Sequence, residues 1–99
     1  MPQVIRADEA ELDLIDILVH IGRHNPLAVD NFADEVEQKC QLLAQFPGMG
    51  AERDDVPEGV RVFAVGSYVL FYRPIDGGIE LLRVLFGGRR ITPRMFQRP

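Results

Sequence analysis

The sequence has little cysteine and no long apolar run, and both shortages exclude classes of protein. Cys40 is the single cysteine, so the chain cannot form an internal disulfide, and we expect a reducing, cytoplasmic compartment. No apolar run is longer than five residues, whereas a helix needs about 20 such residues to span a bilayer. The first residues also lack the charged-then-apolar pattern of a secretory signal. We therefore expect no contact with a membrane.

The motifs of common catalytic sites are missing as well. The sequence has no glycine-rich phosphate loop after a strand, no Ser–His–Asp set and no HExxH pattern. His20 and His24 stand four residues apart, as two metal ligands on one helix face would, but no third ligand lies at a useful spacing and Gly22 weakens the helix between them. Cys40 lies on an apolar stripe and has no basic neighbour other than Lys39, which favours a buried structural thiol. We expect neither a metal nor a cofactor.

Charge is divided unevenly along the chain. Residues 1–59 carry 13 acidic and 4 basic side chains, a net charge of −9, whereas residues 60–99 carry 2 acidic and 7 basic ones, a net charge of +5. This asymmetry has two alternative explanations. Either the two halves bind different partners, or the charges lie on a solvated surface where acidic groups of one half pair with basic groups of the other.

Helical periodicity characterises the first half of the chain. We predict helices over residues 9–23 and 26–45, with Asp8 and Asn25 as their N-caps. The first helix carries two apolar stripes, which together are wider than an ordinary surface helix needs. A stripe that neither the sheet nor the second helix covers would be left for a partner chain. One stripe consists of Leu14, Ile17, Leu18 and Ile21, and the other of Leu12, Ile15 and Val19.

Strand signals dominate the second half. Three apolar runs rich in Val, Ile, Phe and Tyr predict strands over residues 60–65, 68–72 and 79–86. Gly66 and Ser67 suit a two-residue hairpin turn, and Gly77 or Gly78 can supply positive φ in the next turn. The loops are short, so the three strands should form an antiparallel meander.

The complete pattern predicts one domain over residues 1–99. A short strand at residues 3–5 should lie at or near the sheet edge, and residues 49–59 should form a loop. The fold class is α+β, with a helical hairpin packed on a small, mainly antiparallel sheet in the order β-α-α-β-β-β. After the last strand, Ile91, Met95 and Phe96 either form a helical turn that docks on the sheet or remain exposed.

Arginine supplies ten of the eleven basic residues. Its guanidinium binds carboxylate or phosphate bidentately and keeps its proton, which makes it a poor general base. The structural alternatives are pairing of Arg61 and Arg83 with acids of the helices, and an exposed, solubilising tail. The arginines after the helices are Arg61, Arg73, Arg83, Arg89, Arg90, Arg94 and Arg98.

Several stretches are specific only in their combined order and spacing. They are Ala10-x-x-Asp13-Leu14-x-x-Ile17 in the first helix, Leu43-x-x-x-Pro47-x-x-Gly50 after the second, Gly59-Val60-Arg61, the run from Gly66 to Arg73, and the run from Ile79 to Arg89.

In this combination the chain resembles, over nearly its whole length, the ParE branch of the RelE/ParE toxin superfamily of bacterial type II toxin–antitoxin systems. Phe86 stands where the family often has His, and Arg90 where it often has Asp. The second departure makes the tail more basic than usual.

The resemblance implies two alternative activities. RelE-like members cut mRNA on the ribosome, and a nuclease here would use Arg61, Arg83 and Arg89. ParE-like members instead bind and poison DNA gyrase without catalysis. We favour the gyrase activity, because Phe96 has no ionisable group and a chain of net charge −4 suits ribosomal RNA poorly. A third alternative is a non-toxic partner that only binds its antitoxin in operator repression.

The implied partners are a small antitoxin (ParD-like or another DNA-binding antitoxin) and gyrase, with operator DNA reached only through the antitoxin. The predicted gyrase-contacting residues are Arg89, Arg90, Arg94, Met95 and Phe96. The predicted antitoxin-contacting residues are Leu12, Ile15, Val19, Arg73 and Arg83.

Overall fold

The computed structural model of the protein describes residues 2–97, and Met1, Arg98 and Pro99 of the predicted domain lie outside the described residues. None of the described helices is long and apolar enough to cross a membrane. Two 3-10 turns, Pro47–Met49 and Pro93–Phe96, follow the second helix and the last strand. The elements in chain order are β1 (Gln3–Arg6), α1 (Asp8–His24), α2 (Ala28–Gln45), β2 (Ala51–Glu52), β3 (Arg61–Val65), β4 (Tyr68–Ile75) and β5 (Gly78–Phe86).

The described strands form one sheet in the order β1-β5-β4-β3-β2. The meander β3-β4-β5 is antiparallel as predicted, and β1 pairs in parallel with β5 at the edge. The predicted α+β fold and its element order are therefore confirmed. β2 was not predicted, because a strand of two residues has no alternation to recognise; its pairing with Val62 and Arg61 defines it.

The second turn of the meander uses Gly77, which has φ +78°, and not Gly78. β4 continues beyond its predicted end, through Arg73 and Pro74 to Ile75. Its pairing with β3 ends at Tyr72, so none of the described strands lies on that side of the extension. A proline is tolerated at such an edge position.

The predicted N-cap of α1 is wrong, since Ala7 and not Asp8 occupies that position and no side chain caps the helix. The Ala7 N–H donates to the Leu81 carbonyl at 2.9 Å, and the Ala7 carbonyl accepts the Glu11 N–H at 3.1 Å. The last hydrogen bond of the β1–β5 ladder is thus followed at once by the first bond of the helix. α1 therefore begins one residue earlier than predicted.

The predicted start of α2 is also wrong. The Asn25 carbonyl, and not its side chain, accepts the Ala28 N–H at 3.0 Å, and the Pro26 carbonyl accepts the Val29 N–H at 3.4 Å. These bonds span three residues, so the chain makes a tight turn before the helix begins at Ala28. The predicted end at Gln45 is confirmed.

The sheet is covered on both faces. The two helices pack on one face, where Leu14 and Ile17 of α1 and Val36, Cys40 and Leu43 of α2 meet the strands. The other face is covered by the loop before β3 and by the C-terminal turn, which docks on the sheet. The first core includes Leu14, Ile17, Val36, Cys40, Leu43, Leu70, Tyr72, Ile79, Leu81 and Val84. The second core consists of Val56, Val60, Phe71 and Leu85, with Val62, Val69, Leu82, Ile91, Met95 and Phe96 partly buried against it.

Burial raises the pKa of the Cys40 thiol to about 11, from an ordinary value of 9.0. Between these two values the unfolded chain releases the thiol proton and the native chain keeps it. The contribution to stability is therefore complete below pH 9 and is lost as pH rises toward 11, by about 2–3 kcal/mol. Urea denaturation at about pH 8 and about pH 11 measures this loss. In Cys40→Ala, the free energy of unfolding should fall less between these two pH values, because the thiol is gone. An equal fall in the variant and the wild type would contradict the role assigned to Cys40.

Candidate functional site

β5 has β1 and β4 as its neighbouring strands, but its pairing with β1 ends at Leu81. Beyond Leu81, the edge of β5 that faced β1 has no paired strand among the described residues. Asp13 of α1 provides a replacement partner, because its Oδ2 accepts the Val84 N–H at 3.0 Å. A helix side chain thus satisfies a strand donor that would otherwise need water. From the sequence, Asp13 was named only within the stretch Ala10-x-x-Asp13-Leu14-x-x-Ile17 and was given no role of its own.

Arg83 binds the same carboxylate. Its Nε and Nη2 donate to the two Asp13 oxygens at 2.8 and 2.9 Å, and its Nη1 donates to the Met95 carbonyl at 2.9 Å. The Asp13 and Arg83 side chains are only 13% and 17% exposed. The hydrogen bonds to Asp13 raise the pKa of Arg83 against the opposing effect of burial. The pair fastens α1, β5 and the C-terminal turn to one another.

Arg61 and Tyr72 face each other across β3 and β4 and hold the chain where it leaves α2. The Tyr72 hydroxyl donates to the Pro47 carbonyl at 2.7 Å and accepts the Gly50 N–H at 2.9 Å. Arg61 Nη1 donates to the Gly50 carbonyl at 2.7 Å, and its Nη2 lies 3.5 Å from Glu52. Burial raises the pKa of Tyr72. These contacts support a loop and leave Arg61 little freedom to bind a substrate.

The three arginines of the nuclease alternative lie in different surroundings. Directly paired residues of neighbouring strands share a face of the sheet. Arg61 therefore lies with Tyr72 on the helix-covered face, whereas Arg83 pairs with Phe71 of the second core. Arg89 is exposed beyond the end of β5. Arg61 and Arg83 are held by structural contacts, so a nuclease would have to depend on Arg89.

The predicted gyrase-contacting residues fall into two groups. Arg89, Arg90 and Arg94 are exposed, and within residues 2–97 no carboxylate lies at ion-pair distance from them. Met95 and Phe96 are half-buried against the second core, where the Phe96 ring lies 5.3 Å from the Phe71 ring. The structure therefore presents the charged members of the set and uses the apolar ones for packing.

The second apolar stripe of α1 faces solvent. Leu12, Ile15 and Val19, which we call the α1 stripe, are 62%, 56% and 49% exposed. Ile15 also lines a groove of about 140 Å³ between α1 and α2, together with Leu18 and Ala33. Contiguous exposed apolar side chains of this kind mark interaction surfaces.

The two arginines of the predicted antitoxin set are engaged in ion pairs. Arg73 Nε donates to the Glu80 carboxylate at 2.7 Å, and the Arg73 side chain remains 49% exposed. Arg83 is largely buried against Asp13. Of these two, Arg73 alone has a substantial surface for a partner.

The two histidines lie side by side at the end of α1, with ring centroids 4.7 Å apart. The helix continues through Gly22 to His24, although Gly22 was expected to weaken it. Among residues 2–97, no group of three or more His, Cys, Asp or Glu side chains is placed to hold a metal ion.

Asp13 and Tyr72 are the structural residues that sequence reasoning missed. A signal for Asp13 was available, because it shares helical spacing with Ala10, Leu14 and Ile17, all of which are buried. An acid on a buried face predicts a basic partner. Nothing in the spacing of Tyr72 indicated the loop carbonyl that its hydroxyl would reach.

Comparison with known proteins gives consistent results. Residues 4–91 match the family described as ParE toxin of type II toxin–antitoxin system, parDE. Toxin ParE1 of Caulobacter vibrioides is 36% identical over 77 residues, covering 77% of this chain and 79% of that protein. Toxin ParE3 of the same organism is 26% identical over 96 residues. A solved structure of a chromosomal ParDE system from P. aeruginosa shares the fold, with a TM-score of 0.72, 21% identity, and coverage of 87% of this chain and 96% of that one.

Removing one member of the buried pair should destabilise the protein strongly. We expect Asp13→Ala to lower the free energy of unfolding by about 2–4 kcal/mol, because it leaves the Arg83 guanidinium and the Val84 N–H unpaired. Asp16→Ala, at an exposed position of the same helix, should change it by about 0.5 kcal/mol or less. Urea denaturation measures both values, and a double-mutant cycle with Arg83→Ala should give a coupling above about 1 kcal/mol. Equal effects of the two aspartate variants would contradict the assignment.

Proposed function

The chain belongs to the ParE toxins of type II toxin–antitoxin systems, and from this membership we propose that it arrests growth by binding DNA gyrase and is neutralised by a cognate antitoxin. The toxin acts in the cytoplasm, by occupying its target and without a catalytic residue of its own.

The observation that carries this proposal is the division of the arginines. Arg61, Arg73 and Arg83 each have a carboxylate partner, whereas Arg89, Arg90 and Arg94 are exposed with none among residues 2–97. Exposed guanidinium groups form charge-assisted bonds to an anionic partner but cannot serve as a general base. A cationic tail on an otherwise acidic chain suits binding better than catalysis.

The antitoxin is proposed to cover the α1 stripe. We expect a small DNA-binding protein, ParD-like or of another type, with an acidic and apolar tail. Its apolar residues would lie on Leu12, Ile15 and Val19, and its acids would meet the exposed part of Arg73. Operator DNA is then reached only through the antitoxin.

A charge placed in the α1 stripe should separate toxicity from neutralisation. Ile15 is 56% exposed, so Ile15→Asp should fold and still arrest growth, but should bind the antitoxin at least about tenfold more weakly because it buries an unpaired charge. Calorimetric titration of the complex measures the affinity, and co-expression tests neutralisation. Gln38→Asp, an equal change of charge at an exposed position of α2, is the control. Unchanged neutralisation of Ile15→Asp would contradict the proposed interface.

Removing charge from the tail should weaken gyrase inhibition strongly. The double variant Arg89→Ala, Arg90→Ala loses two exposed groups without described carboxylate partners, so we expect normal stability and a loss of inhibition of about tenfold or more. Arg23→Ala, another exposed arginine, is the control. Truncation after Gly88 is less informative, since it also removes Ile91, Met95 and Phe96 from the second core.

Supercoiling by purified gyrase and cleavage of a defined mRNA on translating ribosomes distinguish the alternatives. Lost supercoiling with intact mRNA is the expected result. Cut mRNA with normal supercoiling would establish the nuclease alternative, and a chain that affects neither but still binds its antitoxin would be the non-toxic partner.

A further inference from the structure

Phe86 is an exposed aromatic residue at the end of β5. It is 56% exposed, although it ends a strand whose preceding two residues, Val84 and Leu85, are buried. Its ring lies 6.1 Å from the Tyr68 ring at 78°, and the Tyr68 ring lies 5.2 Å from the Phe32 ring of α2. One side of the exposed ring is therefore supported by a series of aromatic contacts that begins in the helix-covered core.

The turn after β5 supports the same ring. A Cβ atom added at Gly88 would lie 2.8 Å from Cε2 of Phe86, so the backbone of the turn approaches the ring more closely than another residue would allow. The Phe86 ring is thus held between Tyr68 and the turn. An exposed side chain with a fixed orientation loses little entropy on binding, which is the property of an interface anchor.

Backbone hydrogen bonds fix the course of the chain after Phe86. The Gly87 N–H donates to the Ser67 carbonyl at 2.8 Å, and the Arg89 N–H donates to the Phe86 carbonyl at 3.0 Å. The second bond closes a four-residue turn from Phe86 to Arg89, which returns the chain to the end of β5. Arg89 and Arg90 follow at once, both exposed.

We propose that Phe86, with the exposed Arg89 and Arg90 after the turn that follows it, is the apolar anchor of the surface that contacts the target, and that it enters an apolar pocket rimmed by carboxylates on a protein. This inference rests on the proposed function and names the contact residue of the same site. Phe86 takes the role that sequence analysis gave to Met95 and Phe96, which are half-buried against the second core.

The charge of the chain favours a protein surface over nucleic acid. Residues 60–99 contain seven basic residues, of which Arg61, Arg73 and Arg83 are paired. The acidic first half, with a net charge of −9, would repel a phosphate backbone, whose binding depends on many cationic contacts. One exposed phenyl ring followed closely in the chain by two exposed guanidinium groups instead suits a small acidic and apolar pocket.

The test compares two equally exposed phenylalanines. Phe86→Ala should raise the concentration needed for half-maximal inhibition of supercoiling at least tenfold and should relieve growth arrest. Phe46→Ala, which changes a 58% exposed ring at the exit of α2, should shift it less than twofold. Both variants should bind the antitoxin within twofold of the wild type. Phe86→Leu, which keeps an apolar side chain in case the alanine variant folds poorly, should give an intermediate loss of inhibition.

The outcomes separate this inference from the proposed function. If wild type inhibits gyrase and both Phe86 variants inhibit equally well, the anchor is overturned and the proposed function stands. If wild type arrests growth without affecting supercoiling, the gyrase proposal fails, and relief of arrest by Phe86→Ala alone still supports the anchor. Tight binding of wild type to a single-stranded oligonucleotide, measured by fluorescence anisotropy and lost in Phe86→Ala, would overturn the protein pocket in favour of nucleic acid. A wild-type chain without effect in any assay would overturn both.

Discussion

The ion pair between Asp13 and Arg83 joins three parts of the chain at one carboxylate. Asp13 accepts two hydrogen bonds from Arg83 and one from the backbone of β5, and Arg83 also binds the carbonyl of Met95. The pair is mostly removed from water, so each partner depends on the other for its hydrogen bonds. The docking of α1 at the open edge of β5 and the position of the C-terminal turn both follow from it.

The same pair explains why the C-terminal segment is only partly free. Arg83 fixes the backbone of the turn while Met95 and Phe96 pack on the second core. Arg89, Arg90 and Arg94, which all precede Met95 in the chain, remain exposed. The C-terminal segment thus packs its apolar side chains on the sheet and exposes its arginine side chains to solvent. Its arginines are therefore more available than its apolar side chains to contact a partner.

The two surfaces proposed to contact partners belong to different elements. The α1 stripe is apolar and lies on the acidic half of the chain, whereas the end of β5 presents Phe86, which the exposed Arg89 and Arg90 follow in the chain. In the proposed scheme these opposite characters suit an antitoxin and a target with different recognition chemistry. Occupation of one surface need not imply occupation of the other.

The sequence by itself determined the element order, because helical and strand periodicities depend on local side-chain spacing and change near residue 59. It also indicated a surplus apolar stripe on α1. Only the tertiary structure decided which arginines are structural, since Asp13 and Arg83 are 70 residues apart and pair across the fold. It likewise decided that Phe96 packs inward while Phe86 is exposed, because a ring's burial depends on which elements come to lie over it. β2 is defined only by its pairing with β3. α1 begins at Asp8 because Ala7, the residue before it, is still hydrogen-bonded to Leu81 of β5. Both contacts join residues that are distant in the chain, so the local sequence gives no signal for either.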